Sequence, residues 1–153
     1  MRLILGNVYK AALATRPAAI PRTRAGKGAR GAGVRYERQA AKSLPSCLHN
    51  PWYHYQDDAG PGFCSPDLVA QQGSWVVVLE CKLSNIEEAE IQLEKLYFPV
   101  LRVAYGRPTR GIVLVRHLNR QVDRRRITTT LQEALARPPE SMPILHWLGK
   151  GPL

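Results

Sequence analysis

Phe63-Cys64-Ser65-Pro66-Asp67-Leu68-Val69-Ala70 and, after a turn at Gln72-Gly73-Ser74, Trp75-Val76-Val77-Val78-Leu79-Glu80-Cys81-Lys82 are the stretches that decide the fold. Two apolar runs joined by a short turn read as a β-hairpin. The valines and Leu79 are continuous rather than alternating, so the second strand is expected to be buried on both faces. Side chains alternate along a strand, which sends Glu80 and Lys82 to the same side. With Asp67 opposite, two carboxylates and an ammonium converge at one point. Charges brought to the edge of a core need partners or a metal. Mg²⁺ is typically held by one or two carboxylates with waters and substrate phosphate, and a lysine adds a point charge where a phosphate sits. The trio outlines a phosphodiester-hydrolysing site. The plainer reading is a solvated strand end.

Upstream, Val34, Glu37, Ala41 and Leu44 recur at helical spacing, with Pro45 as the stop. This places Glu37 on the stripe that faces the sheet, its alternative being a salt bridge to Arg38. Residues 52–56 read as a strand, followed by an Asp57-Asp58-Ala59-Gly60-Pro61-Gly62 loop whose acids lie near the site in sequence. Ser84-Asn85-Ile86-Glu87 resembles a capping box. It opens a helix with Ile86, Ala89, Leu93, Leu96, Tyr97, Val100 and Ala104 as its apolar stripe and a kink expected at Pro99. Residues 111–116 form another buried strand, 128–136 a helix and 143–147 a short edge strand. The order is α-β-β-β-α-β-α-β, a single α/β domain with a mixed sheet flanked by helices.

The chain has 153 residues and a net charge of +10, which favours a polyanionic partner. Residues 1–38 hold 9 basic and 1 acidic side chains, residues 39–101 hold 3 and 8, and residues 102–126 hold 8 and 1. An acidic centre between two arginine-rich segments suits an enzyme that grips a phosphate backbone around a metal site. A general basic face on an architectural protein does not require the acidic middle.

Pro66-Asp67 with Glu80-Cys81-Lys82, preceded by Gly33-Val34-Arg35-Tyr36-Glu37-Arg38-Gln39-Ala40-Ala41-Lys42-Ser43-Leu44, resembles the signature of the PD-(D/E)XK nuclease superfamily. The short, basic, single-domain layout is most similar to the archaeal-type and phage Holliday junction resolvases. The resemblance spans about residues 30 to 117. It implies a restriction-endonuclease-like core over residues 31–153 and a Mg²⁺-dependent DNA endonuclease, with Mn²⁺ as a substitute. Asp67, Glu80 and the Cys81 backbone carbonyl would hold the metal, Lys82 would orient the attacking water, and Glu37 would complete the shell or bind a second ion. A homodimer follows if a junction is cut twice. A glutamine on the helix after the signature approaches the site in many members; Gln92 is the candidate, although the common Q-x-x-x-Y spacing is not met by Gln92 and Tyr97.

Phosphate contacts are expected from Lys27, Arg30, Arg35, Tyr36 and Arg38, and from Arg120, Arg124, Arg125 and Arg126. Residues 1–30 read as a basic, Gly/Arg-rich arm, with Leu3-Ile4-Leu5 and Val8-Tyr9 packing on a partner subunit and a hinge from Ala25 to Gly33. Three cysteines without C-x-x-C spacing argue against a disulfide framework and fit a reducing, cytoplasmic setting, that of the host cell if the chain is phage-encoded. Zinc on Cys47, His49, His54 and Cys64 is the sharper alternative for these residues. No membrane span is expected. A noncatalytic nucleic-acid-binding protein, or a restriction-like or exonucleolytic member of the same superfamily, are the competing functions.

Overall fold

A computed structural model describes residues 2–20 and 28–153. In chain order the elements are β1 (Lys10–Ala14), α1 (Gly28–Ser43), β2 (Leu48–His49), β3 (Trp52–Asp57), β4 (Gly60–Cys64), β5 (Leu68–Gln72) and β6 (Trp75–Lys82). Next come α2 (Ile86–Gln92), a π-helical turn (Leu93–Tyr97), α3 (Phe98–Tyr105), β7 (Thr109–Val115), β8 (Ile127–Thr128), α4 (Leu131–Ala136) and β9 (Ile144–His146). Six strands form a mixed sheet in the order β2-β5-β6-β7-β9-β8, and β1-β3-β4 form a second, antiparallel sheet. The α/β class and the mixed, helix-flanked sheet therefore stand.

The decisive hairpin is β5–β6, antiparallel with Leu68 opposite Leu79 and Val69 opposite Val78. Its second strand is buried from Val76 to Glu80 and pairs with β7 in parallel. One apolar layer, with Tyr36, Ala40, Leu79 and Ile112, lies under α1 and α4; the other, with Val78, Leu93, Val100 and Val113, lies under α2 and α3. Gly111 lets that second layer close, because a Cβ there would stand 2.8 Å from the Phe98 ring.

Several expectations are corrected. The helix expected from residue 128 starts at Leu131, because Thr128 is drawn into β8 and its hydroxyl donates to the Ile144 carbonyl at 2.9 Å. The strand at 143–147 is β9, and it sits between β7 and β8 rather than at the edge. The loop at 57–62 is a tight hairpin whose far side is β4. Asp57 turns inward there to accept from Arg2 at 3.1 Å, away from the Asp67 region. Pro99 lies in the first turn of α3, directly after the π-turn that interrupts the helix. The carbonyl of Lys95 lies four residues before Pro99, which has no amide to offer it. Ile4 donates to that carbonyl instead, at 2.9 Å.

That bond belongs to a larger revision of the N-terminal segment. Residues 2–20 lie against their own core: β1 pairs with β3, Ile4 and Val8 pack on the apolar layer, and Arg2 lies over the Tyr55 ring at 5.1 Å. Leu5 and Tyr9 remain exposed. The expected hinge is helical from Gly28 onward, and its earlier residues, with Lys27, lie outside the described residues. No helix among the described residues is long and apolar enough to cross a membrane.

Candidate active site

Continuing the β5–β6 register one step beyond Leu68 and Leu79 sets Asp67 opposite Glu80. The two positions are laced together: the Asp67 amide donates to Glu80 Oε1 at 3.0 Å, and the Cys81 amide donates to Asp67 Oδ2 at 2.8 Å. In a strand a residue's N–H and C=O point to the same side, as in the paired exchange of an antiparallel ladder. The Cys81 carbonyl is thus directed toward Asp67, while the Lys82 carbonyl accepts from Arg116 on the β7 side at 3.3 Å. Lys82 shares the Glu80 face, and its ammonium lies 3.4 Å from Glu88 in the first turn of α2.

A cleft of about 570 Å³ opens over this strand end, with Asp67, Glu80, Cys81, Lys82, Gln92 and Tyr97 in its lining. From α1 come Arg30, Val34 and Glu37. The buried stripe of α1 differs from the expected one: Tyr36 and Ala40 face the sheet, while Glu37 is half-buried beside the cleft. Glu37 accordingly reaches the carboxylates from the rim and not from beneath.

The electrostatics of the cluster are unfavourable as it stands. Burial raises the Asp67 carboxyl well above the carboxylate range, and the charges of Glu80 and Glu37 push it further. Glu80 is also raised, first by burial; the Asp67 amide and Lys82 oppose this only in part. Two like charges sharing a poorly solvated site cannot both ionise at ordinary cost. A cation would remove the conflict. The donors are all oxygens, which suits a hard divalent ion. Further, the Gln92 Oε1 atom is buried without a partner among the described residues. The donor set fits Mg²⁺ held by a carboxylate pair; no group of three or more His, Cys, Asp or Glu among the described residues is arranged to hold an ion.

Gln92 and Tyr97 meet the same cleft although five residues separate them. The π-turn between them explains this: the Phe98 amide donates to the Leu93 carbonyl, five residues back. One extra residue in the turn brings positions five apart onto the face that positions four apart share in an α-helix. The sequence spacing that departs from Q-x-x-x-Y is therefore offset by the backbone. Tyr97 donates to the Ser65 carbonyl at 3.4 Å.

His49, which the sequence offers only as a zinc ligand, joins the carboxylate site instead. Its Nε2 lies 3.1 Å from Glu37 Oε1, and Asn50 follows it with Nδ2 at 3.3 Å from the same ring nitrogen. The Asn50 amide donates to the Asp67 carbonyl at 2.8 Å. Pairing of β2 with β5 sets His49 opposite Leu68, next to the carboxylates. Nothing local in the sequence announces that pairing.

The other expected contacts divide. Arg30 lines the cleft, and Arg35 and Arg38 are exposed on α1. Tyr36 is corrected: it is 1 % exposed, and its hydroxyl donates to the Trp147 carbonyl at 2.8 Å, so it offers nothing to a phosphate. Arg120, Arg124 and Arg125 are exposed, Arg125 pairing with Asp123. Arg126 is corrected as well, since it clamps Glu90 and the Met142 carbonyl. The zinc residues do not assemble: Cys64 is in one apolar layer, Cys47 packs on the other, His54 contacts Phe63 and His49 meets Glu37. All three thiols are free.

Comparisons of the chain with protein-family models, with curated proteins and with solved structures return no match.

Proposed function

We propose that the chain is a metal-dependent deoxyribonuclease, an endonuclease that hydrolyses phosphodiester bonds, with branched DNA as the substrate that its resemblance to Holliday junction resolvases implies. The observation that supports this most is the placement of Asp67 opposite Glu80, with Lys82 on the Glu80 face and the Cys81 amide bonded to Asp67. Structural carboxylates are usually buried with cations or several donors; these two are buried mainly with each other.

Asp67, Glu80 and the Cys81 carbonyl would hold Mg²⁺, while Glu37, paired with His49 at the rim, would have to leave that contact to join the shell. Bound there, the ion would supply Lewis-acid polarisation of the scissile phosphate. Lys82 orients the attacking water and offsets charge on the phosphorane-like transition state. Glu88 holds the Lys82 ammonium at the cleft in the free protein. Gln92 offers its unpaired carbonyl oxygen to the same space. Resolving a four-way junction takes two cuts, which a homodimer would supply.

The test is incubation of the full chain with labelled four-way junction, duplex and single-stranded DNA, in Mg²⁺ or in EDTA. Cutting that needs Mg²⁺ is expected. Absence of cutting on all three substrates would overturn the proposal and leave a noncatalytic nucleic-acid-binding protein.

A further inference from the structure

The three-stranded sheet has two unlike faces. Tyr53 and Tyr55 of β3 point inward and are buried. Trp52 and His54, the alternate residues of the same strand, point outward and keep part of their surface in solvent. Phe63 of β4 lies opposite His54 and is 46 % exposed; the two rings are in contact, tilted by 37° with centroids 4.9 Å apart. On the other side of β3, Ala14 lies opposite Trp52 and Ala12 opposite His54, so small side chains flank the half-buried rings. The outward positions of the three strands include Lys10 and Gln56 and no acid.

This row of rings does not end in open solvent. Trp52 forms part of a cavity of about 740 Å³ whose lining includes Arg16, Arg38, Ser65 and Asp67. The Ser65 hydroxyl is buried there without a partner among the described residues. One continuous surface thus runs from the carboxylate site, past two guanidinium groups, onto three aromatic rings. Stacking surfaces beside cations suit unpaired nucleotides, because every base has a π-face whatever its identity. A duplex keeps those faces covered by its own stacking, and so cannot use them.

We propose that the outer face of the β1-β3-β4 sheet and the Trp52 cavity bind an unpaired segment of DNA, with bases on Trp52, His54 and Phe63 and phosphates toward Arg16 and Arg38. This rests on the phosphodiesterase reading and deepens it: the substrate carries single-stranded DNA next to the bond that is cut.

The experiment measures anisotropy of a labelled single-stranded oligodeoxynucleotide, and of a blunt duplex of equal length, with the full chain in EDTA. Trp52→Leu, which keeps an apolar side chain without a π-face, is expected to weaken single-strand affinity by about tenfold and to leave duplex affinity unchanged. Trp52→Phe is expected to stay within about threefold of the wild type, and Phe63→Leu, at a largely exposed position, to weaken single-strand binding as well. Unchanged single-strand affinity in both leucine variants would overturn the inference and leave the apolar face to a protein partner or a second copy of the chain. Because no cleavage is involved, this result stands apart from the nuclease assay. A chain that cuts DNA yet ignores Trp52 refutes the inference alone, and a chain that never cuts but binds through Trp52 refutes the nuclease reading alone.

Discussion

Of the places where the described residues bury charge, two do it in opposite ways. Arg110, in the middle of the sheet on β7, is 6 % exposed. Its guanidinium donates to the carbonyls of Ala134, Leu135 and Arg137 at 3.0–3.2 Å, where α4 ends. A cation at a helix C-terminus meets both the free carbonyls and the negative end of the dipole. At the end of β6, by contrast, Asp67 and Glu80 face each other with two backbone amides between them and only Lys82 to offset them. In the first arrangement both terminal nitrogens of the guanidinium are bonded, and only the Nε–H is buried without a partner among the described residues. In the second, burial raises both carboxyls, and two backbone amides with Lys82 offset this only in part.

The largest expected effect breaks the comparison at the carboxylates. Glu80→Gln and Asp67→Asn should each lower Mg²⁺-dependent cleavage by about a thousandfold, the consequence of losing a ligand worth several kcal/mol at the transition state. Both should also melt at or above the wild-type temperature without metal, since each removes a like charge from the pair. Single-turnover cleavage and thermal melts in EDTA provide the check. A variant that cuts at the wild-type rate would remove Asp67 or Glu80 from the chemistry.

Arg110 should behave in reverse. Arg110→Met leaves three carbonyls without their donor and is expected to cost about 3 kcal/mol. For a chain of this size that lowers Tm by roughly 10 °C. Cleavage per folded molecule should not change. A melt within about 2 °C of the wild type would show that the buried arginine is not what holds α4 to the sheet.

The pH dependence sharpens the same contrast. The folded-state carboxyls of Asp67 and Glu80 are raised, Glu80 to about 7. A raised carboxyl binds a proton more tightly in the folded chain than in the unfolded one, so its contribution favours folding at low pH and is lost as pH climbs through the folded value. Between the ordinary carboxylate range, roughly 4, and neutrality, the metal-free Glu80→Gln variant should gain stability relative to the wild type. Melts of both chains in EDTA across that range measure the gap, which Mg²⁺ should close by binding the ionised pair. A gap that narrows with rising pH would contradict the raised carboxyls.

How far the sequence carried this site follows from how local each contact is. The β5–β6 hairpin is closed by the two residues Gly73 and Ser74, so Asp67 and Glu80 could be set opposite each other by counting along two strands. The continuous valines of β6 signalled burial on both faces, which holds. Helical spacing sets Glu37 near the site on the stripe of Val34, Ala41 and Leu44, which is only partly buried, because α1 is rich in glycine and alanine and its apolar face is weakly marked. The small sheet was harder. Gly60-Pro61-Gly62 reads as a loop, yet Pro61 is tolerated on β4 because that strand is an edge, and a side chain at Gly62 would run into the Tyr55 ring. His49 and β1 join their partners through pairings distant in sequence, and the π-turn that aligns Gln92 with Tyr97 has no residue signature of its own.

The smallest expected effect separates arginines that look alike in sequence. Arg124, Arg125 and Arg126 are consecutive, yet Arg124 and Arg125 are exposed while Arg126 clamps Glu90 and the Met142 carbonyl. Arg126→Ala should therefore cost about 1–2 kcal/mol of stability through loss of charged hydrogen bonds and change the salt dependence of DNA binding little. Arg124→Ala with Arg125→Ala should do the opposite. The melt stays within about 1 °C of the wild type, because Arg125 is tied only to a neighbouring exposed Asp123. If both side chains touch phosphate, the slope of log affinity against log salt falls by about 0.9 for each contact on duplex DNA. Titration of a four-way junction from low to moderate salt measures that slope directly. A slope unchanged in the double variant would take the DNA path away from this turn and toward Arg30 at the cleft.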